Sequence, residues 1–309
     1  MVKSYSPYLG PISLEEGVTP IIVFTVGKVG SKTIVESIYS LENIPYAVFH
    51  AHVLSSKSSQ HTSEDNTNKN FKSTIDYLTF GHNLSNYIRD NFDKHNWKVI
   101  TLVREPLSII LSTFFEFLDI GKSMQSLYPE IFENGKLEVT YDKFLEFYSN
   151  KFSYMTGDYV INWFDLEMKP VFNIDVFDYP FDTTKGYSIV AKDNVELLTI
   201  RLEDLNKVFP ECINDFLGIR EIKMIKDNIG NTRHYSKHMQ FLKDNLSVFK
   251  HVANHFFSSK FTRHFYASDE MQKLIEHWTR AINLTDADFR MYDISRDNIF
   301  EGLELWEKE

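Results

Sequence analysis

Ile21-Ile22-Val23-Phe24-Thr25-Val26-Gly27-Lys28-Val29-Gly30-Ser31-Lys32-Thr33 decides the fold class: a short apolar run of the kind buried in a sheet passes through a glycine-containing turn into a helix. Such a turn suits phosphate. Its backbone N–H groups and the positive end of the helix dipole converge on one small volume, and Lys28, Lys32 and the hydroxyls of Ser31 and Thr33 add donors there. The spacing is not that of an ATP or GTP loop, which needs lysine directly after its second glycine and serine or threonine after that. Here Ser31 follows Gly30, and the residue five before Gly30 is Thr25. By itself the stretch is equally a plain strand-to-helix connection.

Two further junctions stand downstream. Lys98–Val103 reads as a second buried strand, followed by Arg104-Glu105-Pro106, with Pro106 suited to the first turn of a helix. Leu107, Ile110, Leu111, Phe114, Phe115 and Leu118 recur at helical steps, and Ser108, Ser112 and Glu116 form a polar row on another face. Arg104 and Ser112, eight residues apart, are therefore expected to reach one anion, and a guanidinium fork with a hydroxyl suits a phosphate monoester. The plainer reading ties Arg104 to a surface carboxylate. Leu197–Leu205 is the third junction, with Phe216-Leu217-Gly218-Ile219 after it; Glu203 and Asp204 are expected to cap the intervening helix.

Taken in order over residues 21 to 219, these three segments resemble the motifs of the sulfotransferases that use 3′-phosphoadenosine-5′-phosphosulfate (PAPS). The resemblance implies a P-loop-NTPase-like, three-layer α/β architecture with a mainly parallel sheet and helical insertions. It implies that Lys28, Val29, Gly30, Ser31, Lys32 and Thr33 hold the 5′-phosphosulfate, with Lys28 at the bridging or 5′-phosphate oxygen. Arg104 and Ser112 then bind the 3′-phosphate, Arg233 in a late basic loop contacts the adenosine or 3′-phosphate, and 3′-phosphoadenosine 5′-phosphate (PAP) is the product. One departure stands out: Leu202 occupies a position where the family commonly has tyrosine, so an aromatic contact with adenine is not expected from it. The run Asn162–Glu167, with Ile174–Phe177 and Tyr179–Asp182, resembles bacterial proteins labelled as capsular polysaccharide synthesis proteins, which implies a carbohydrate hydroxyl as acceptor. For Trp163, Phe164 and Phe177 the residues themselves indicate only packing.

Sulfuryl transfer needs a base for the acceptor proton. His52, at the end of the predicted strand Tyr46–His50, is the favoured candidate, because a histidine accepts a proton near neutral pH and because similar H-x-H segments occur at the base position of uronyl 2-O-sulfotransferases. Strand alternation places His50 and His52 on one face, so a structural or orienting role and a metal site are weighed beside it. No third ligand stands at a recognised spacing, and no metal is expected. Glu116 is the reserve base, since some sulfotransferases use a glutamate.

Composition bounds the rest. With 309 residues, 43% hydrophobic and 15% aromatic, the chain can bury a substantial core, and one domain spanning 1–309 with insertions is expected. The formal net charge of −10 argues against general nucleic-acid binding but not against a polyanionic cofactor met by local cations. Cys212 is the single cysteine, which excludes an internal disulfide and, with no signal-peptide pattern, points to the cytoplasm. No apolar run approaches the roughly 20 residues of a transmembrane helix, so any membrane contact is peripheral. Residues 1–19 read as a lead-in, 55–70 as a flexible loop, 121–195 as an insertion shaping the acceptor pocket, and 235–290 as mostly helical. A nucleotide kinase or NTPase, and a non-catalytic nucleotide- or glycan-binding protein, are the rival readings. The oligomeric state is not legible.

Overall fold

The computed structural model describes residues 12–15, 17–41, 46–55, 72–119, 132–133, 136–137, 153–219, 222–225 and 250–279, with backbone alone at 72–78, 115–119, 132–133, 136–137, 153–156 and 250–252. The chain runs through β1 (Thr19–Phe24), α1 (Ser31–Tyr39), β2 (Tyr46–Ala51), α2 (Lys72–Asp90), β3 (Trp97–Val103) and α3 (Pro106–Asp119). Next come the two-residue strands β4 (Phe132–Glu133) and β5 (Lys136–Leu137), then α4 (Ser153–Trp163), a π-helical turn at Phe164–Met168 and α5 (Lys169–Phe172). The remainder is β6 (Tyr187–Lys192), β7 (Val195–Arg201), α6 (Leu205–Leu217), α7 (Lys250–Phe257), α8 (Lys260–Phe265) and α9 (Ser268–Thr279).

Five strands form one sheet in the order β2-β1-β3-β7-β6, parallel except for β6, which pairs antiparallel with β7. Position in the sheet explains the sequence patterns. The interior strands β1, β3 and β7 are buried on both faces and read as nearly continuous apolar runs, whereas the edge strand β6 alternates. In the sequence, Lys192-Asp193-Asn194 reads as a turn that brings Tyr187–Val190 back toward the Leu197 strand, and this hairpin is present. Asp193, with a φ of 53°, and Asn194 make its tight turn, and Asn194 Nδ2 donates to the carbonyls of Phe92 and His95, tying the turn to the start of β3.

Two compact units divide the chain, Met1–Arg104 with Asn162–Asn228, and Glu105–Ile161 with Ile229–Glu309. The first holds the five-stranded sheet, with α1 packed on β1 and β2, and α6 on β6 and β7. Its core includes Ile21, Ile22, Val23, Phe24, Val99, Ile100, Leu197 and Leu198, all fully buried. In the second unit, the described part is largely helical. Pro106 opens α3 as expected, and the buried Glu105 accepts the N–H of Ser108 at 2.9 Å, an N-terminal cap that the arginine-proline pattern had not suggested. Gly157 of α4 abuts Phe256 of α7 so closely that a Cβ there would run into the phenyl ring. Residues 56–70, most of 120–152, and 226–249 lie outside the described residues, as do the loop, insertion and late-helix expectations that fall on them.

Candidate active site

The carboxyl ends of four parallel strands lie along one edge of the first unit's sheet, where α/β folds bind ligands. After β1 the chain makes its turn with two residues in the left-handed region, Lys28 at φ 67° and Gly30 at φ 80°. For a lysine this conformation is uncommon, and backbone strain of this kind gathers at ligand clamps. Gly30 immediately precedes α1. Gly30 offers no side-chain cap and no acidic residue stands in the first turn, so Ser31, Lys32 and Thr33 open α1 at its positive end. Val29, fully buried, anchors the turn, while Lys32 is exposed.

Arg104, one residue past β3, reaches this turn directly. Its Nη1 donates to the carbonyl oxygen of Lys28 at 3.0 Å. The Arg104 guanidinium is thereby tied to the backbone of the turn that leads into α1. Ser112 lies on α3 in the second unit, Glu116 follows on the same helix with its side chain outside the described residues, and Arg233 is outside them altogether.

His52 is placed by strand register. Phe24 pairs with Ala51, so the next residues, Thr25 and His52, leave the sheet side by side. His52 Nδ1 lies 2.7 Å from the carbonyl oxygen of Thr25 and 3.2 Å from its hydroxyl. A carbonyl only accepts, so Nδ1 carries the hydrogen, and the neutral ring keeps its lone pair on Nε2. His50 shares the face, as alternation required, with the two ring centroids 4.7 Å apart at 81°. Its Nε2 is 2.9 Å from Ser31 Oγ, which links the second strand to the first residue of α1. Burial, and then the neighbouring His52 and Lys32, lower the His50 pKa from 6.5 to about 3, so it stays neutral. Among the described residues, no group of three His, Cys, Asp or Glu side chains could hold a metal ion.

The third junction differs from the capping expectation. Asp204 stands at the N-cap of α6 without a side-chain cap bond; its Oδ2 instead accepts from Nε of the buried Arg201 at 2.5 Å, because a buried guanidinium needs a carboxylate more than an exposed helix end needs a cap. Arg201 also donates from Nη2 to the carbonyl of Thr183 at 3.1 Å. Leu202 lies against the turn before α1, where a Cβ added to Gly30 would come within 2.9 Å of its Cδ1.

Three contributors escape the motif spacing. Thr25 sets the His52 tautomer, Trp163 donates from Nε1 to the His52 carbonyl at 3.2 Å, and the fully buried Glu167 accepts the N–H groups of Leu54 and Ser55 at 2.9 and 2.8 Å. Parallel pairing of β1 with β2 would have suggested Thr25. Nothing local points from Trp163 or Glu167 to residues more than a hundred positions earlier.

No helix among the described residues is long and apolar enough to cross a membrane. No curated protein and no solved structure matches the chain. Two family models do. The family described as "Putative capsular polysaccharide synthesis protein" matches residues 136–267, which include the Trp163–Asp182 run. The model described as "Sulfotransferase family" matches residues 16–174, just over half of the chain, spanning the Lys28–Thr33 turn, His52, Arg104 and Ser112. This chain therefore belongs to the sulfotransferase family.

Proposed function

We propose that this protein transfers a sulfuryl group from PAPS to a hydroxyl of a carbohydrate acceptor, using His52 as base. The observation that carries the reading is the bond from Arg104 to the Lys28 carbonyl: it joins the end of β3 to the turn before α1, which supports assigning both elements to one anionic ligand. The residues present fit that donor. The positive end of α1, Lys28, Lys32, the Ser31 and Thr33 hydroxyls and Arg104 provide local positive potential in a chain of net charge −10. Ser112, at the family's spacing from Arg104, and Arg233 complete the donor site by resemblance.

PAPS, when bound, supplies the activated sulfuryl group. Lys28 offers its ammonium to the oxygens of the departing phosphate, where negative charge grows. His52 takes the acceptor hydroxyl's proton on Nε2, and the Nδ1 hydrogen bond to the Thr25 carbonyl stabilises the resulting imidazolium. Glu116 is the reserve base. The acceptor class rests on the capsular family match, with residues 121–195 conferring selectivity. We read the architecture as P-loop-like and the location as cytoplasmic, in keeping with a buried free Cys212 whose thiol burial pushes up to about 12.

Calorimetry tests the donor. PAP is expected to bind at least roughly tenfold more tightly than ATP, with or without Mg²⁺, a gap of about 1.4 kcal/mol; equal or reversed affinities would replace this reading with a nucleotide kinase. Label transfer from PAPS to a panel of glycans, read by mass, then identifies the acceptor.

A further inference from the structure

The Trp163–Glu167 stretch has a physical task that its aromatic content conceals. Trp163 packs its ring on Phe24, the last residue of β1, at a centroid distance of 4.7 Å, and its indole N–H reaches the His52 carbonyl at 3.2 Å. Directly after it, α4 widens into the π-helical turn Phe164–Met168, a rare form that gathers at functional sites. This turn carries Glu167 with 0% exposure, and one of its oxygens, Oε2, receives both the Leu54 and the Ser55 N–H. A buried carboxylate bound by two backbone donors is a strong fixed contact. From the opposite chain direction Gly81 of α2 lies against the Val53 carbonyl, so close that a Cβ would collide with it. Every residue from His52 to Ser55 is thus held by a bond or a backbone approach, at the point where the chain leaves the sheet.

We propose that Trp163 and Glu167 are positioning residues for His52: they clamp His52–Ser55 so that Nδ1 stays on the Thr25 carbonyl and Nε2 remains the proton-accepting nitrogen. The proposal rests on His52 being the base. A ring free to rotate or change tautomer would present N–H and lone pair interchangeably, and base catalysis depends on which nitrogen meets the proton.

Nitrogen-15 histidine spectra and kinetics of the full chain, with Trp163→Phe and Glu167→Gln, test the clamp. Trp163→Phe keeps an aromatic ring against Phe24 while removing the N–H together with part of the buried indole volume; it leaves the Glu167 contacts in place, so it carries the test even if Glu167→Gln fails to fold. The native chain is expected to show His52 as the Nδ1-protonated tautomer, and the variants a mixture. Their kcat should fall on the order of 10–100-fold, as a misplaced catalytic group costs, while PAP affinity stays within about twofold. A native tautomer retained in the folded variants, or an unchanged kcat, overturns the clamp. If the native chain neither binds PAP nor transfers sulfuryl, the functional reading fails instead, and the tautomer spectra alone decide the clamp.

Discussion

Leu202 closes over Gly30: a Cβ added to this glycine, whose φ is 80°, would sit 2.9 Å from the leucine Cδ1. The side chain that replaces the family's common tyrosine is therefore a packing partner of the turn. Gly30→Ala combines left-handed strain with displacement of Leu202, and should lower stability by about 1–2 kcal/mol as well as weakening PAP binding. Gly27→Ala is the control, with nothing within 4 Å of its added Cβ and a change within about 0.5 kcal/mol expected. Urea denaturation of both variants measures the difference; equal losses would mean that Gly30 is not conformationally required.

Arg104→Ala removes the guanidinium that bonds to the Lys28 carbonyl. Loss of hydrogen bonds from a charged donor should weaken PAP binding by about 1.5–3 kcal/mol, roughly 10- to 150-fold. Arg104→Lys keeps the charge without the fork and should fall between the native chain and alanine. Unchanged affinity by calorimetry takes Arg104 out of the donor site.

His52→Ala should leave PAP affinity near the native value and reduce kcat by on the order of 10²–10⁴. The acidic limb of the pH–rate profile should vanish with it. Full activity in the variant would transfer the base role to Glu116 or to another group.

His50 makes stability depend on pH. Its folded pKa, lowered from 6.5 to about 3 by burial first, means that the unfolded chain takes up a proton below pH 6.5 while the folded chain does not. Its effect is absent above about pH 6.5, and stability falls as pH drops from there toward 3. His50→Asn should flatten the decline of Tm across that window while leaving Tm above pH 7 less affected. An identical pH slope in native and variant proteins would show that His50 titrates normally.

The legible part of this protein is local. Apolar runs at Ile21–Phe24, Lys98–Val103 and Leu197–Ile200 specified interior strands, because a strand buried on both faces is apolar at most positions, with only small hydroxyls such as Thr101 and Thr199 buried among them, and Lys192-Asp193-Asn194 specified the hairpin turn. The glycine turn and the arginine at a strand end also lie within short windows whose chemistry can be read directly. Asp204 misled for the same reason: a carboxylate ahead of a helix looks like a cap until a buried Arg201 turns out to be its neighbour.

From the sequence alone came the strands, the glycine turn before α1, the Arg104 helix junction and the pairing of His50 with His52 on one face, each fixed by spacing within a dozen residues or so. Tertiary structure decided that Arg104 bonds to Lys28, that Thr25 selects the His52 tautomer, and that Trp163 and Glu167 grip the chain after β2 from 111 to 113 residues away. The reason is that a donor or a carboxylate states what it needs but not which distant partner supplies it; strand register and helix packing make that choice.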